Sequence, residues 1–370
     1  MIIRIEELLN PCNTILSAVD ANDLSQLTKT LELKVIDRIL HMSVTNKEYF
    51  AEIKINIGEE VDFHATVDAD TFLKLISKTT TDVVEFNIVD NSLVIKGNGV
   101  YKLPLIFDDD KLLEIPEINI SNVTQEFDID GGILNSLITY NSKQLGTGVI
   151  SRPVQKYYFV DEKGALTFTS GACVNKFELE KPIKMLLSGR IVKLFKLFKD
   201  RVVHFKFGVD TVAEGITQTK VSFEADDIKI NAILQSDEAL INSVPVDAIR
   251  GRADNLYPYS VSINRTEILN TVGRIGLFTT AETLPYVTME FNQDKLTLFD
   301  YKKENNEELF YNNKETGITE TYSAMMDVNE LKAILESCTE EYITFRFGDE
   351  QALTLCRGNV VNIIPEIQPA

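Results

Sequence analysis

Three stretches of the chain carry the same succession of apolar and polar positions and align without gaps. The first runs Thr71-Phe72-Leu73-Lys74-Leu75-Ile76 and on to Asp82-Val83-Val84-Glu85-Phe86-Asn87-Ile88. The second runs Arg190-Ile191-Val192-Lys193-Leu194-Phe195 and on to Arg201-Val202-Val203-His204-Phe205-Lys206-Phe207. The third runs Glu330-Leu331-Lys332-Ala333-Ile334-Leu335 and on to Glu341-Tyr342-Ile343-Thr344-Phe345-Arg346-Phe347. Each opens at helical spacing and, after a charged residue, changes to strict alternation. In the second copy Ile191, Leu194, Phe195 and Phe198 fall on one helical stripe. Val203, Phe205 and Phe207 then alternate with His204 and Lys206, which predicts a strand with one face in a core.

A second strand follows each time: Ser92–Lys96, Ile228–Ala232 and Ala352–Cys356. Asp90-Asn91, Asp226-Asp227 and Gly348-Asp349 supply turn chemistry just before them. A looser family of helices precedes these units, at Ile5 to Val19, Ile133 to Ile138 and Ile268 to Val272, with Asp130 and Asn264 placed as N-caps of the last two. The expected architecture is α+β, three repeated domains at 1–120, 121–247 and 248–370, each with two helices packed on antiparallel sheets. The junctions fall in polar or turn-rich stretches near 117–122 and 245–254.

The chain has 370 residues, 44% of them hydrophobic and 25% charged, which suits several globular domains rather than disorder. No apolar run has the length of a membrane span, and the first residues lack the layout of a signal peptide. The cysteines, Cys12, Cys173, Cys338 and Cys356, form no CxxC pair, so free buried thiols in a reducing cytoplasm are expected. His41, His64 and His204 are scattered, and neither a metal nor another cofactor is expected. No P-loop, GxSxG or other catalytic signature occurs, so an enzyme is not expected. The net charge of −19 disfavours nucleic acid when taken alone, yet it says nothing about any one face.

Three similar domains of this make resemble the bacterial DNA sliding clamp, the beta subunit of the DNA polymerase III holoenzyme. Local pieces carry the likeness. Gly97 to Pro104 is similar to the strand that closes the family's first domain. Lys156-Tyr157-Tyr158-Phe159, followed by Thr169-Ser170-Gly171-Ala172-Cys173-Val174, resembles the family's Tyr-Tyr-Leu strand and its Thr-Asp-Gly-His-Arg-Leu segment. The run Val360 to Ile367 stands where the family ends in Val-Met-Pro-Met. The resemblance implies a pocket for a short linear peptide carried by replication proteins, lined by Phe159, Thr169, Gly171, Val174, Pro245, Ile363, Ile364 and Pro365. An apolar cleft of that kind takes Leu and Phe anchors, although Phe159, Val174 and Ile363 equally fit ordinary core positions. Departures at Ser170, Ala172, Cys173 and Glu366, with Gln368-Pro369-Ala370 beyond, are those of a divergent clamp, such as one encoded by a bacteriophage.

The resemblance also implies a ring closed by two copies head to tail, with Tyr101 and Leu103 facing Leu277 and Phe278. Its helices would line a hole for double-stranded DNA. Lys74, Lys78, Lys143, Arg190, Lys193, Lys196, Lys199, Arg265 and Arg274 are the candidate phosphate contacts, with Asp200 the only acid near the second-repeat group. Acids gather elsewhere, at Asp108 to Asp110 and Glu304 to Glu308. The expected partners are duplex DNA of any sequence, a DNA polymerase, a clamp loader and a second copy of the chain, with no membrane. A structural phage protein of repeated β-rich domains accounts for the repeats and the acidity, but not for the basic helices.

Overall fold

The computed structural model describes residues 1–19, 25–146, 148–279, 284–314, 317–348 and 351–367. The chain gathers into two compact units, one from Met1–Asn135 with Arg190–Ser236, the other from Ser136–Gly189 with Asp237–Ala370. Residues of the stretch 121–247 therefore contribute to both.

Each repeat forms the helix and strand its pattern predicts. Helix Ala69–Ser77 leads to strands Val83–Val89 and Ser92–Lys96, and helix Val328–Glu336 to Tyr342–Gly348 and Gln351–Arg357. In the middle copy a turn of α-helix, Gly189–Val192, tightens into the 3-10 helix Lys193–Phe198 and buries Ile191, Leu194, Phe195 and Phe198. Most of these helices start from the last residue of a strand. Asp68 ends His64–Asp68 and accepts the Thr71 amide, while Asp327 ends Tyr322–Asp327 and accepts the Asn329 and Glu330 amides. Asn264 accepts the Thr266 and Glu267 amides, and Asp130 the Gly132 amide at 2.6 Å. A short side-chain oxygen there satisfies N–H groups that the first helical turn leaves free. Gly131 follows Asp130 because a Cβ would lie 1.6 Å from the Phe198 carbonyl oxygen.

The first unit holds an antiparallel sheet in the order Val123–Asp130, Val202–Ala213, Ile216–Ala225, Ile228–Ile233, Tyr49–Asn56, Ile39–Thr45, Thr30–Ile36, His64–Asp68. The second holds Lys184–Ser188, Tyr157–Asp161, Gly164–Phe168, Ala172–Lys176, Val360–Ile363, Gln351–Arg357, Tyr342–Gly348, Tyr259–Asn264 and Asn313–Lys314. Each unit adds a four-stranded sheet. In the first unit one of its edges is Val100–Pro104, and in the second Asn306–Phe310. The architecture is α+β, as expected, and the four cysteines are buried.

Two local expectations differ. The strand after Val202–Ala213 is Ile216–Ala225, not Ile228–Ile233. Its first half, Ile216 to Lys220, is polar and outside the core, so the alternation shows only at the buried Val221, Phe223 and Ala225. The turn at Asp226 holds, with its φ at 46°, as do Asp90 and Asn91 at 49° and 58°; Asp349 lies outside the described residues. The junction 245–254 is not turn-like, because Ile249 and Ala253 fall one turn apart and bury one face of a helix, Val246–Asp254. The junction 117–122 is polar but tied down. Asp210 accepts the Ser121 and Asn122 amides, Asn231 donates to the Ile118 carbonyl at 2.7 Å, and Lys229 pairs with Glu117 at 2.5 Å.

Candidate functional site

The candidate peptide-pocket residues all lie in the second unit, where the sheet register brings several together. Ala172 pairs with Ile363 and Val174 with Val361, placing Phe159, Val174 and Ile363 in one buried cluster under Ile249 and Ala253 of helix Val246–Asp254. Ile364 turns into the other core of this unit, with Phe345 and Leu353. Gly171 sits against the chain's own C-terminal segment. A Cβ there would stand 2.5 Å from the Ile363 carbonyl oxygen, 2.8 Å from Pro365 Cδ and 3.0 Å from Gln144 Oε1. Gln144 Oε1 also accepts from the Thr169 hydroxyl at 3.4 Å, while its Nε2 donates to Glu330 at 3.1 Å. Burial pushes the Glu330 carboxyl up, against the hydrogen bond from Gln144.

Two cavities open beside these residues. One of about 410 Å³ is lined by Phe159 and Pro245, the other of about 470 Å³ by Val174, and Lys163 and Arg250 line both. Their rims are more charged than the apolar cleft expected from the sequence. Asp161, Glu162, Lys184 and Asp247 belong to the first, Lys176, Glu178 and Asp254 to the second. Arg250 holds Asp161 by a two-pronged ion pair at 2.7 and 2.6 Å, the Asp161 side chain being 6% exposed. Sequence reasoning missed this pair and the Gln144–Glu330 hydrogen bond. Partners 89 and 186 residues apart leave no periodic signal.

The candidate DNA-facing cations fall in both units, Lys74, Lys78, Arg190, Lys193, Lys196 and Lys199 in the first and Lys143, Arg265 and Arg274 in the second. Several are already engaged. Lys74 pairs with Asp70 at 2.7 Å, one helical turn away, and Arg265 Nε donates to the Leu335 carbonyl. Arg274 grips Glu307 through Nε and Nη2 at 2.7 and 2.6 Å, and that guanidinium holds the Glu307 carboxyl below the usual range. Asp200 is not the only acid near the second-repeat cations. Glu48, in the turn before strand Tyr49–Asn56 and 142 residues earlier, lies 3.3 Å from Arg190. Lys78, Lys143, Lys196 and Lys199 are exposed.

Of the four candidate interface residues, Leu277 and Phe278 protrude from the short helix Gly276–Phe278, 79% and 49% exposed. Tyr101 is 39% exposed on the edge strand Val100–Pro104. Leu103 differs: two residues further along the strand it is only 8% exposed and packs inward. Among the described residues no group of His, Cys, Asp and Glu could hold a metal ion, and no helix is long and apolar enough to cross a membrane.

No family model and no curated protein matches the sequence. Solved structures match it throughout. A sliding clamp (DNA polymerase III subunit beta) from Pseudomonas aeruginosa bound to griselimycin superposes with a TM-score of 0.82 at 14% identity, covering 100% of this chain and 99% of that one. The DNA polymerase III beta subunit of Thermotoga maritima gives 0.81 at 14% identity, and the DNA polymerase sliding clamp of Bacillus subtilis 0.79 at 16%, with the same coverage. The fold is that of the bacterial sliding clamps.

Proposed function

We propose that this chain is a DNA sliding clamp, a non-catalytic processivity factor that forms a ring around double-stranded DNA and tethers a DNA polymerase to it. The observation that carries this reading is the superposition of the whole chain on clamp structures, at TM-scores of up to 0.82. The repeats add to it. A strand ending in Asp or Asn and running into a helix recurs at Asp68, Asp130, Asn264 and Asp327, which favours three like domains at 1–120, 121–247 and 248–370.

Two copies meeting head to tail would close the ring. Tyr101, Leu277 and Phe278, with the open edge strands Val100–Pro104 and Asn306–Phe310, suit that interface. Leu103 supports the strand from beneath. The exposed Lys78, Lys143, Lys196 and Lys199 suit backbone contacts that ignore sequence and so permit sliding. The surroundings of Phe159, Gly171, Pro245 and Pro365 suit a linear peptide of a polymerase or clamp loader.

Retention tests the reading. Loaded on nicked circular duplex, the protein should stay bound through gel filtration and leave when the DNA is cut once. Equal retention on circular and open linear DNA sinks the proposal.

A further inference from the structure

Arg357 is sealed inside the second unit at 3% exposure, on the strand Gln351–Arg357. Leu355 pairs with Asn362 and Asn362 with Cys173, so Arg357, Asn362 and Cys173 share one face of the sheet. Arg357 Nη1 donates to the Ile334 carbonyl at 3.1 Å, in the last turn of helix Val328–Glu336, and touches Cys338 Sγ. Its carbon centre stands 4.8 Å over the Tyr140 ring. Among the described residues Nε and Nη2 have no hydrogen-bond partner, while the wholly buried Asn362 amide is within reach of the Cys173 thiol.

No carboxylate among the described residues pairs with this guanidinium. The thiols do not supply a counter-charge, since burial pushes Cys173 up to about 12 and also raises Cys338. The carbonyl end of the helix and the Tyr140 face offset only part of the charge. A buried cation with open donors is strongly destabilising.

The geometry of the open donors narrows what completes the site. Nε and Nη2 form one edge of the planar fork, with two parallel N–H groups. Arg274 uses that same edge to hold both oxygens of Glu307. Such an edge fits two coplanar oxygens better than a spherical halide. We propose that the open edge of Arg357 binds a small planar oxyanion, of carboxylate or bicarbonate chemistry, within the second unit.

An anion that binds only the folded unit stabilises it in proportion to the logarithm of its concentration. The probe is sodium formate, compared with sodium chloride at equal ionic strength on the full chain. Formate should raise the thermal transition of the second unit by a few degrees beyond chloride, and the rise should saturate. In 13C NMR, labelled formate should show a bound resonance. Arg357→Met keeps the length without the charge, and should lose both the formate response and the resonance. Should that variant not fold, Arg357→Lys, which keeps the charge but not the two-pronged edge, should weaken the apparent formate affinity about tenfold. A transition that answers equally to formate and chloride, with no bound resonance, overturns the proposal. So does a formate response kept in full by a folded variant.

Discussion

Replacing Gly171 with alanine tests how closely the C-terminal segment is seated. The new Cβ would stand 2.5 Å from the Ile363 carbonyl oxygen and 2.8 Å from Pro365 Cδ. Side chains could swing away, but Ile363 O is backbone, fixed by pairing with both Ala172 and Thr354. Relief therefore requires moving the strand Val360–Ile363 or the turn before Ala172 by several tenths of an ångström. Overpacking of this kind costs about 1–3 kcal/mol. That corresponds to a fall of roughly 2–10 °C in the transition of the second unit. Because Ile363 and Pro365 belong to the proposed peptide site, a Gln-Leu-x-Leu-Phe peptide should also bind the variant several-fold more weakly, measured by fluorescence anisotropy. Dimerisation and DNA retention should stay as they are. An unchanged transition with unchanged peptide affinity would mean that nothing presses on Gly171, and the assignment of this segment to the site would go with it.

Three further outcomes are expected. The double variant Leu277→Ala with Phe278→Ala should shift the protein toward monomer in sedimentation without lowering its stability much, whereas Leu103→Ala, deleting a buried side chain, should cost about 2–5 kcal/mol of stability in denaturant titration. Replacing Lys193, Lys196 and Lys199 with glutamate should reduce retention on circular DNA and flatten the salt dependence by about one unit of slope for each phosphate no longer neutralised, read from log-log binding plots. The Lys220 ammonium, with the Ser121 and Asn122 amides, holds the Asp210 carboxyl below the ordinary aspartate range. Its contribution is therefore present above that range and is lost as pH falls through the depressed value. Asp210→Asn should flatten the acid limb of a stability–pH curve, and parallel limbs for variant and parent would refute the attachment.

Much of the architecture was legible because it rests on local periodicity. Ile191, Leu194, Phe195 and Phe198 are all buried, and Val203 and Phe205 alternate with half-exposed neighbours. What was illegible depends on partners far along the chain. Leu103 alternates like an interface residue, and only the sheet shows its side chain turned inward. The 246–254 stretch reads as polar because two apolar residues suffice to seat that helix. Phe159, Val174 and Ile363 were placed together by resemblance, and the register accounts for their meeting. The charged rims beside them, set by Arg250 and Asp161, carry no signature at all.

The order of strands bears on how the chain comes off the ribosome. In the first unit Ile228–Ile233 is hydrogen-bonded to Tyr49–Asn56, so a strand made early must wait for a partner made far later before that sheet can close. In the second unit Val360–Ile363 lies between Ala172–Lys176 and Gln351–Arg357, so Ala172–Lys176 waits for a partner made long after it. Pairings this distant are slow to form, and until they form the nascent sheets keep open edges. Strands such as Phe50 to Ile55 and Ala172 to Val174 would then need shielding during translation, which makes this a protein whose yield should respond to chaperone supply and elongation rate more than to the stability of the finished fold.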